Sequence, residues 1–192
     1  MMLSPRFEQA LVYATTIHAG QTRKASEVPF ISHLLGVASL ALEFGANEDE
    51  AIAALLHDAV EDAGGEPRLA DIRVRFGTAV AEMVKDCTDT SATPKPPWQA
   101  RKEAYIAHLP HSSPGALLVS CCDKLYNTRT IVADLRERGV VTWEKFRGGR
   151  DGSLWYYRTL ADFFKTTNLP RGLVEELLRT VATMEQLAAQ AG

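Results

Sequence analysis

Apolar residues recur every three or four positions along most of the chain, the spacing of one helical face. Between positions 5 and 19 the stripe is Phe7, Ala10, Leu11, Ala14 and Ile17, opened by Ser4 as a cap and Pro5 in the first turn. Further stripes predict helices over 33–44, stopped at Gly45, over 48–63, stopped at Gly64 and Gly65, over 69–76 and over 78–88. Residues 98–109 are another amphipathic candidate. "SSPGALLVSCCDKLYNTRTIVADLRERG" reads as one long helix, capped by Ser113 and Pro114 and stopped at Gly139. Two more helices follow, near 152–166 and 170–190. The two-residue alternation of a half-buried strand occurs nowhere, and the apolar run "ALLVSCC" lies in a helical setting. The expected fold class is therefore all-α. Two stretches interrupt the pattern. "DTSATPKPPW", residues 89–98, reads as a mobile surface loop, and "RGGRDGS", residues 147–153, as an irregular connection.

A chain of 192 residues suits a single domain spanning 1–192 with a real buried core. The net charge of −3 argues against a surface built for nucleic acid or for an anionic membrane, so any anion site must be a local cluster of Lys and Arg. No run approaches the roughly 20 apolar residues of a membrane-spanning helix, and no charged segment followed by an apolar run opens the chain as a signal peptide would. The cysteines are Cys87, Cys121 and Cys122, an odd number with two adjacent, which is a poor disulfide framework and fits a reducing, cytoplasmic setting.

One stretch departs from ordinary amphipathic design. "AALLHDAVEDAGG", residues 53–65, sets His57, Asp58, Glu61 and Asp62 among apolar neighbours. With His57 at zero on a helix of about 100° per residue, Glu61 falls near about 40°, Asp58 near about 100° and Asp62 near about 140°. The ionisable groups form one arc, with His57/Glu61 and Asp58/Asp62 as neighbours four apart. A solvated polar face would ordinarily explain such an arc. Here no Lys or Arg within it relieves the carboxylates, and His stands beside Asp. Crowded carboxylates are costly unless a cation or shared proton relieves them, and a divalent metal does so directly. His33 in "PFISH" and Asp123 in "CCDKLYN" complete a two-His, two-Asp set drawn from three helices. Asn127 lies one turn beyond Asp123. This mixed N/O set suits a first-row divalent ion with positions left for water and substrate. Mn²⁺ fits the oxygen share, with Zn²⁺ and Fe²⁺ as alternatives. Cys121 and Cys122 are alternative soft ligands, but at helical spacing they point away from Asp123 and suit a packed core.

His33, then His57-Asp58, then Asp123 is the H…HD…D pattern of the HD metal-dependent phosphohydrolases. "HAGQTRKASEVPFISH", "ALLHDAVEDAGG", "FGTAVAEMVKDCTD" and "DKLYNTRT" together resemble the hydrolase domain of the stringent-response Rel/Spo proteins. "HSSPGALLVSCCDKLYNTR" is similar to the free-standing small alarmone hydrolases. The resemblance runs over about residues 8–165. It implies an all-helical HD-domain bundle that hydrolyses the 3′-pyrophosphate of (p)ppGpp, giving GDP or GTP and pyrophosphate, typically with Mn²⁺. It implies His33, His57, Asp58 and Asp123 as metal ligands, with Glu61 and Asp62 handling the attacking water and the leaving group. It assigns Arg23 and Lys24 to the base and phosphates, Asn127 and Thr130 to nucleotide contacts and, more loosely, Lys102 and Tyr156 to the same pocket. The expected partner is a small-molecule nucleotide.

The chain departs from that family in three places. Leu34 follows the ligand His where the family has Pro. "KASEVPF" is one residue longer, so either Ala25 or Ser26 takes the place of a substrate-contacting Ser. Cys121-Cys122 replaces an apolar-small pair. Lys124 and Arg129 are further candidate cations for the phosphates, with surface solvation the competing role for each. His18 reads as a satisfied helix-face residue, and His108 and His111 as surface or loop residues. Tyr156, in "WYY", fits either a nucleotide contact or core packing. Two other functions use the same residues: an HD phosphohydrolase of another nucleotide, such as one removing the 2′-phosphate of NADPH, and a non-catalytic nucleotide sensor.

Overall fold

The structure, a computed structural model, describes residues 2–92 and 94–190. Its helices are α1 (Pro5–Ile17), α2 (Ile31–Glu43), α3 (Glu48–Leu56), α4 (Ala59–Asp62), α5 (Gly65–Phe76), α6 (Thr78–Cys87), α7 (Trp98–His108), α8 (Pro114–Arg138), α9 (Gly149–Phe164) and α10 (Arg171–Gln190). Short 3₁₀ turns cover Leu109–His111 and Gly139–Lys145. Among the described residues there is no strand, only an isolated antiparallel bridge between Thr22 and Pro29.

Local chemistry sets most helix ends. Ser4 accepts from the Arg6 N–H and Pro5 opens α1. Asn47 and Glu50 form a capping box that starts α3. Ser113 accepts from the Ala116 N–H at the start of α8, and Gly139, with φ of 64°, ends it.

The long helix α8 is the axis of the bundle. Its buried residues run from Gly115 to Leu135, and α2, α3, α6, α9 and α10 all pack against it. Cys121 and Cys122 are fully buried in this core. Burial pushes the Cys122 thiol up to about 12 and that of Cys121 well above its ordinary value, which disfavours the thiolate of both. Two glycine notches bring elements close. A Cβ at Gly36 of α2 would lie 2.0 Å from the Tyr126 ring of α8. One at Gly148, just before α9, would lie 2.6 Å from the Trp98 ring of α7. Only glycine permits these approaches.

Three expectations are corrected. The helix expected over 48–63 is broken at His57 and Asp58. The helix expected over 69–76 begins earlier, at Gly65. The connection expected over 147–153 already belongs to α9 from Gly149. Small shifts elsewhere are end effects: α1 stops at Ile17 and α2 begins at Ile31.

Candidate active site

The break between α3 and α4 shapes the site. The His57 Nδ1 donates to the Ala54 carbonyl at 2.8 Å, the acceptor that an unbroken helix would offer to the Asp58 N–H. Asp58 takes φ of −94° and ψ of −3°, outside regular helix geometry. Both side chains thereby turn toward His33, near the start of α2, and Asp123, in the middle of α8. Because a carbonyl only accepts, Nδ1 carries the hydrogen and Nε2 faces the cluster.

Four ligand-type atoms converge there. His33 Nε2 lies 3.2 Å from His57 Nε2, 3.3 Å from Asp58 Oδ2 and 3.2 Å from Asp123 Oδ1. His57 Nε2 lies 3.2 Å from Asp58 Oδ2 and 3.6 Å from Asp123 Oδ1. Both imidazoles are buried. One ligand atom each from His33, His57 and Asp58 lies within 4.8 Å of the others, the span of a common coordination sphere. Two nitrogens and two carboxylate oxygens fit a divalent ion of the HD type. Outer partners brace the set. Asn127 Nδ2 donates to Asp123 Oδ1 at 2.5 Å, and Lys124 Nζ to Asp123 Oδ2 at 2.5 Å. Burial opposes the charge on His57, but Asp58 and Asp123 outweigh it and hold the imidazole well above its ordinary value. A proton and a metal ion therefore compete for the same Nε2.

Glu61 and Asp62, on α4, line the same cleft of about 320 Å³ as the cluster. Burial raises both carboxyls, and the Asp58 charge raises Asp62 further. The expectation that no cation relieves this arc is corrected. Lys95 reaches in from the 89–98 segment, its Nζ 3.0 Å from Glu61 Oε1 and 3.4 Å from Asp62 Oδ1. The buried Arg101 of α7 follows at 3.7 Å from Glu61 Oε1. A helical wheel of residues 53–65 cannot contain either, because both arrive from another segment. The surface loop is thus anchored: Asp89 is buried at its start, and Trp98 sits in the Gly148 notch at its end.

The candidate substrate residues divide between two adjoining cavities. Lys102, with its Nζ 4.8 Å from the Tyr156 ring centroid, lines the cleft beside the metal cluster. Thr130 lines a second cavity of about 360 Å³, with Tyr126, Lys145 and Phe146. Arg23, Lys24, Asn127 and Tyr157 line both cavities and stand where they meet. A tight turn bearing the Thr22–Pro29 bridge carries Arg23 and Lys24 inward. Within it Ala25 has φ of 54°, and both Ala25 and Ser26 line the second cavity. Arg23 donates to Asn127 at 2.8 Å and packs between Phe30 and Tyr126. Lys24 lies over Phe146, and burial, Arg147 and Lys145 lower its pKa. That crowding of cations in an acidic chain is what a bound polyanion relieves.

Other candidates resolve differently. Tyr156 is buried and also lines the cleft, so it packs in the core and faces the cleft at once. Burial opposes the Lys124 charge, but Asp123 outweighs it and holds the ammonium; Lys124 braces the Asp123 carboxylate. Arg129 points away from the cleft and pairs with Glu176 of α10, which removes it from the phosphate candidates. His18 is buried, stacked on Phe30 and bonded through Nδ1 to Gln21, while its Nε2 has no partner among the described residues. His108 is exposed and bonded to Asp86 at 3.0 Å, and His111 is exposed. Sequence reasoning missed Asp89, Lys95, Arg101, Lys145 and Tyr157. Only Tyr157, in the aromatic run, and Arg101, beside Lys102, carried any local signal.

Comparison with known proteins agrees with this geometry. The sequence model of a family described as "HD domain" matches residues 10–152. The protein named guanosine-3′,5′-bis(diphosphate) 3′-pyrophosphohydrolase MESH1 of Mus musculus is 37% identical over 142 residues, covering 72% of this chain and 74% of its own. The protein of that name from Drosophila melanogaster is 32% identical over 168 residues, covering 86% of this chain and 88% of its own. A solved structure described as a metazoan ortholog of SpoT that hydrolyzes ppGpp superposes with a TM-score of 0.74 at 28% identity, covering 100% of this chain and 98% of that one. The match spans the three segments that carry His33, His57-Asp58 and Asp123, and the chain belongs to the HD-domain family.

Proposed function

We propose that this chain is a metal-dependent pyrophosphohydrolase that removes the 3′-pyrophosphate of (p)ppGpp and releases GDP or GTP with pyrophosphate. The observation that carries the reading is the junction of two unlike cavities. A polar cleft lined by His33, Asp58 and Asp123 of the cluster and by the carboxylates Glu61 and Asp62 opens past Arg23 and Lys24 into a pocket walled by Tyr126, Phe146 and Tyr157. A nucleotide with phosphates at one end and a flat base at the other fits that division. The relatives named for guanosine-3′,5′-bis(diphosphate) 3′-pyrophosphohydrolase support the same substrate.

In this reading His33, His57, Asp58 and Asp123 hold the ion. A divalent ion there supplies Lewis acidity, making water more acidic and polarising a phosphoryl oxygen. Mn²⁺ is the proposed ion, with Zn²⁺ and Fe²⁺ as alternatives. Glu61 takes the proton of the attacking water: Lys95 opposes the effect of burial on both carboxyls, but the Asp58 charge raises Asp62 further and favours its protonated form. Asp62 serves the leaving group. Lys24 and Lys102 meet the phosphates. Arg23, held between aromatic rings and bonded to Asn127, faces the nucleoside. Asn127, Thr130 and Tyr156 complete the contacts. We take residues 1–192 as a single HD-type domain: α10 lies beyond the matched segment yet packs along α8 and α9. A cytoplasmic setting is supported by three cysteines, each of them free.

Product analysis tests the proposal. Purified protein with ppGpp and Mn²⁺ is expected to yield GDP and pyrophosphate, and EDTA to abolish the reaction. Release of inorganic phosphate from NADPH with ppGpp untouched would move the assignment to a 2′-phosphatase. Tight ppGpp binding without turnover in metal-loaded protein would leave a sensor.

A further inference from the structure

Asp89 closes the segment "FGTAVAEMVKDCTD", just after α6. The roles proposed above leave it without a function, yet it is placed at the centre of the site. Its side chain is only 7% exposed. One oxygen, Oδ2, accepts from both Arg101 Nη1 and Lys102 Nζ, the latter at 2.9 Å. The other, Oδ1, is buried with no partner among the described residues. Successive helical residues diverge by about 100° and do not ordinarily face one group. Here two of them, both cations, fold back onto a single carboxylate oxygen. Each then reaches a different part of the site. Lys102 lies over Tyr156, and Arg101 comes to 3.7 Å from Glu61. Arg101 is further tied by its Nε to the Pro96 carbonyl at 3.2 Å, within the segment that carries Lys95.

A buried carboxylate with one unpartnered oxygen costs stability. Packing alone would be served as well by an apolar residue. The arrangement makes sense if the two cations need a fixed anion behind them. We propose that Asp89 is a positioning residue that fixes Lys102 against the phosphate end of the substrate and Arg101 beside Glu61, an inference that rests on the reading of the site as a nucleotide pyrophosphohydrolase.

The charges around Lys102 give the idea a distinctive signature. On its own helix stands Arg101. From other elements Glu61, Lys124 and Tyr156 face it, and Lys24, Arg147 and the Lys95–Asp62 pair stand along the rim. Burial lowers the Lys102 pKa, Lys124 lowers it further, and Asp89 is the main group that opposes them. Removing the Asp89 charge should therefore let Lys102 lose its proton at lower pH, and phosphate binding should fail with it.

The test is the pH profile of kcat/KM for ppGpp with Mn²⁺ in wild type, Asp89→Asn and Asp89→Ser; the serine variant also removes the unpartnered oxygen. Both substitutions are expected to raise KM about tenfold, with a smaller effect on kcat, and to move the alkaline limb down by about one pH unit. Adding Lys102→Arg to Asp89→Asn is expected to return the alkaline limb, because a guanidinium stays charged. An unchanged KM and alkaline limb in a folded variant would overturn the proposal. So would a shift that Lys102→Arg does not reverse. A second readout needs no turnover: acylation of Lys102 at pH 8, followed by peptide mass spectrometry, should be several-fold faster in the Asp89 variants. If wild type leaves ppGpp intact but this acceleration appears, the role of Asp89 stands and the substrate assignment falls. If wild type is active but acylation rates are equal, the substrate assignment stands and the role of Asp89 falls.

Discussion

The Nε2 atoms of His33 and His57 face one another at 3.2 Å, with Asp58 and Asp123 oxygens beside both. Two neutral imidazoles do not turn their lone pairs together without a cation or a proton between them. The His57 Nδ1–H is already committed to the Ala54 carbonyl. The pair and its two carboxylate neighbours are therefore arranged around a cation or a shared proton, and an outer layer of Asn127 and Lys124 braces Asp123.

Metal content and turnover should separate accordingly. Asp58→Ala is expected to lose both bound metal and hydrolysis. Glu61→Gln is expected to keep stoichiometric metal by elemental analysis while kcat falls about 10²- to 10⁴-fold, the usual contribution of general acid–base catalysis. Full activity in Glu61→Gln would remove that carboxylate from the proposed chemistry. Metal should also stabilise the fold, by about 2.7 kcal/mol at a free concentration 100 times Kd, so EDTA should lower the melting temperature.

If Glu61 is the base, as proposed, its ionisation should set the acid side of the kcat profile in metal-loaded protein. Burial raises its carboxyl above the ordinary glutamate value, and Lys95 partly opposes that rise. A base is active only when ionised, so a raised pKa moves the acid limb of kcat upward. Lys95→Met removes one of the groups that lower the pKa. The limb should then move to still higher pH, with activity recovering as pH increases, and Lys95→Arg should sit near wild type. A Lys95→Met limb at or below the wild-type position would show that Lys95 does not act through Glu61.

The close crossing of α2 and α8 predicts a structural coupling. Gly36→Ala would set a methyl 2.0 Å from the Tyr126 ring, which packs on His33 at 5.1 Å between ring centroids and donates to the Ser32 carbonyl. Overpacking of this kind costs about 1–3 kcal/mol. Calorimetry should record a drop in melting temperature of roughly 2–12 °C for a domain of this size. Metal affinity should fall as well, since His33 must shift with Tyr126. A variant that melts with wild type would mean that the crossing yields without strain.

Much of this was legible along the chain. The all-helical fold follows from apolar residues at helical spacing, and Ser4-Pro5 and Ser113-Pro114 announce helix starts by chemistry that acts within a few residues. The His and Asp of the cluster stand out because side chains of that kind are costly beside apolar neighbours unless something requires them. The break at His57 was not legible, since it comes from a side chain taking its own helix's carbonyl and involves no Gly or Pro.

Local periodicity and residue chemistry by themselves determined the all-helical class, the extent of most helices and the candidate ligands His33, His57, Asp58 and Asp123. Only the tertiary structure decided which distant charges meet. Lys95 sits on Glu61, 34 positions away, and Arg23 on Asn127, 104 positions away. Arg129, a match by type, turns to Glu176 instead. Periodicity governs which face of a helix is buried, because the helix repeats on the scale of the pattern. Pairing between faces depends on how the helices cross, and here that is set by close packing at notches such as Gly36 and Gly148.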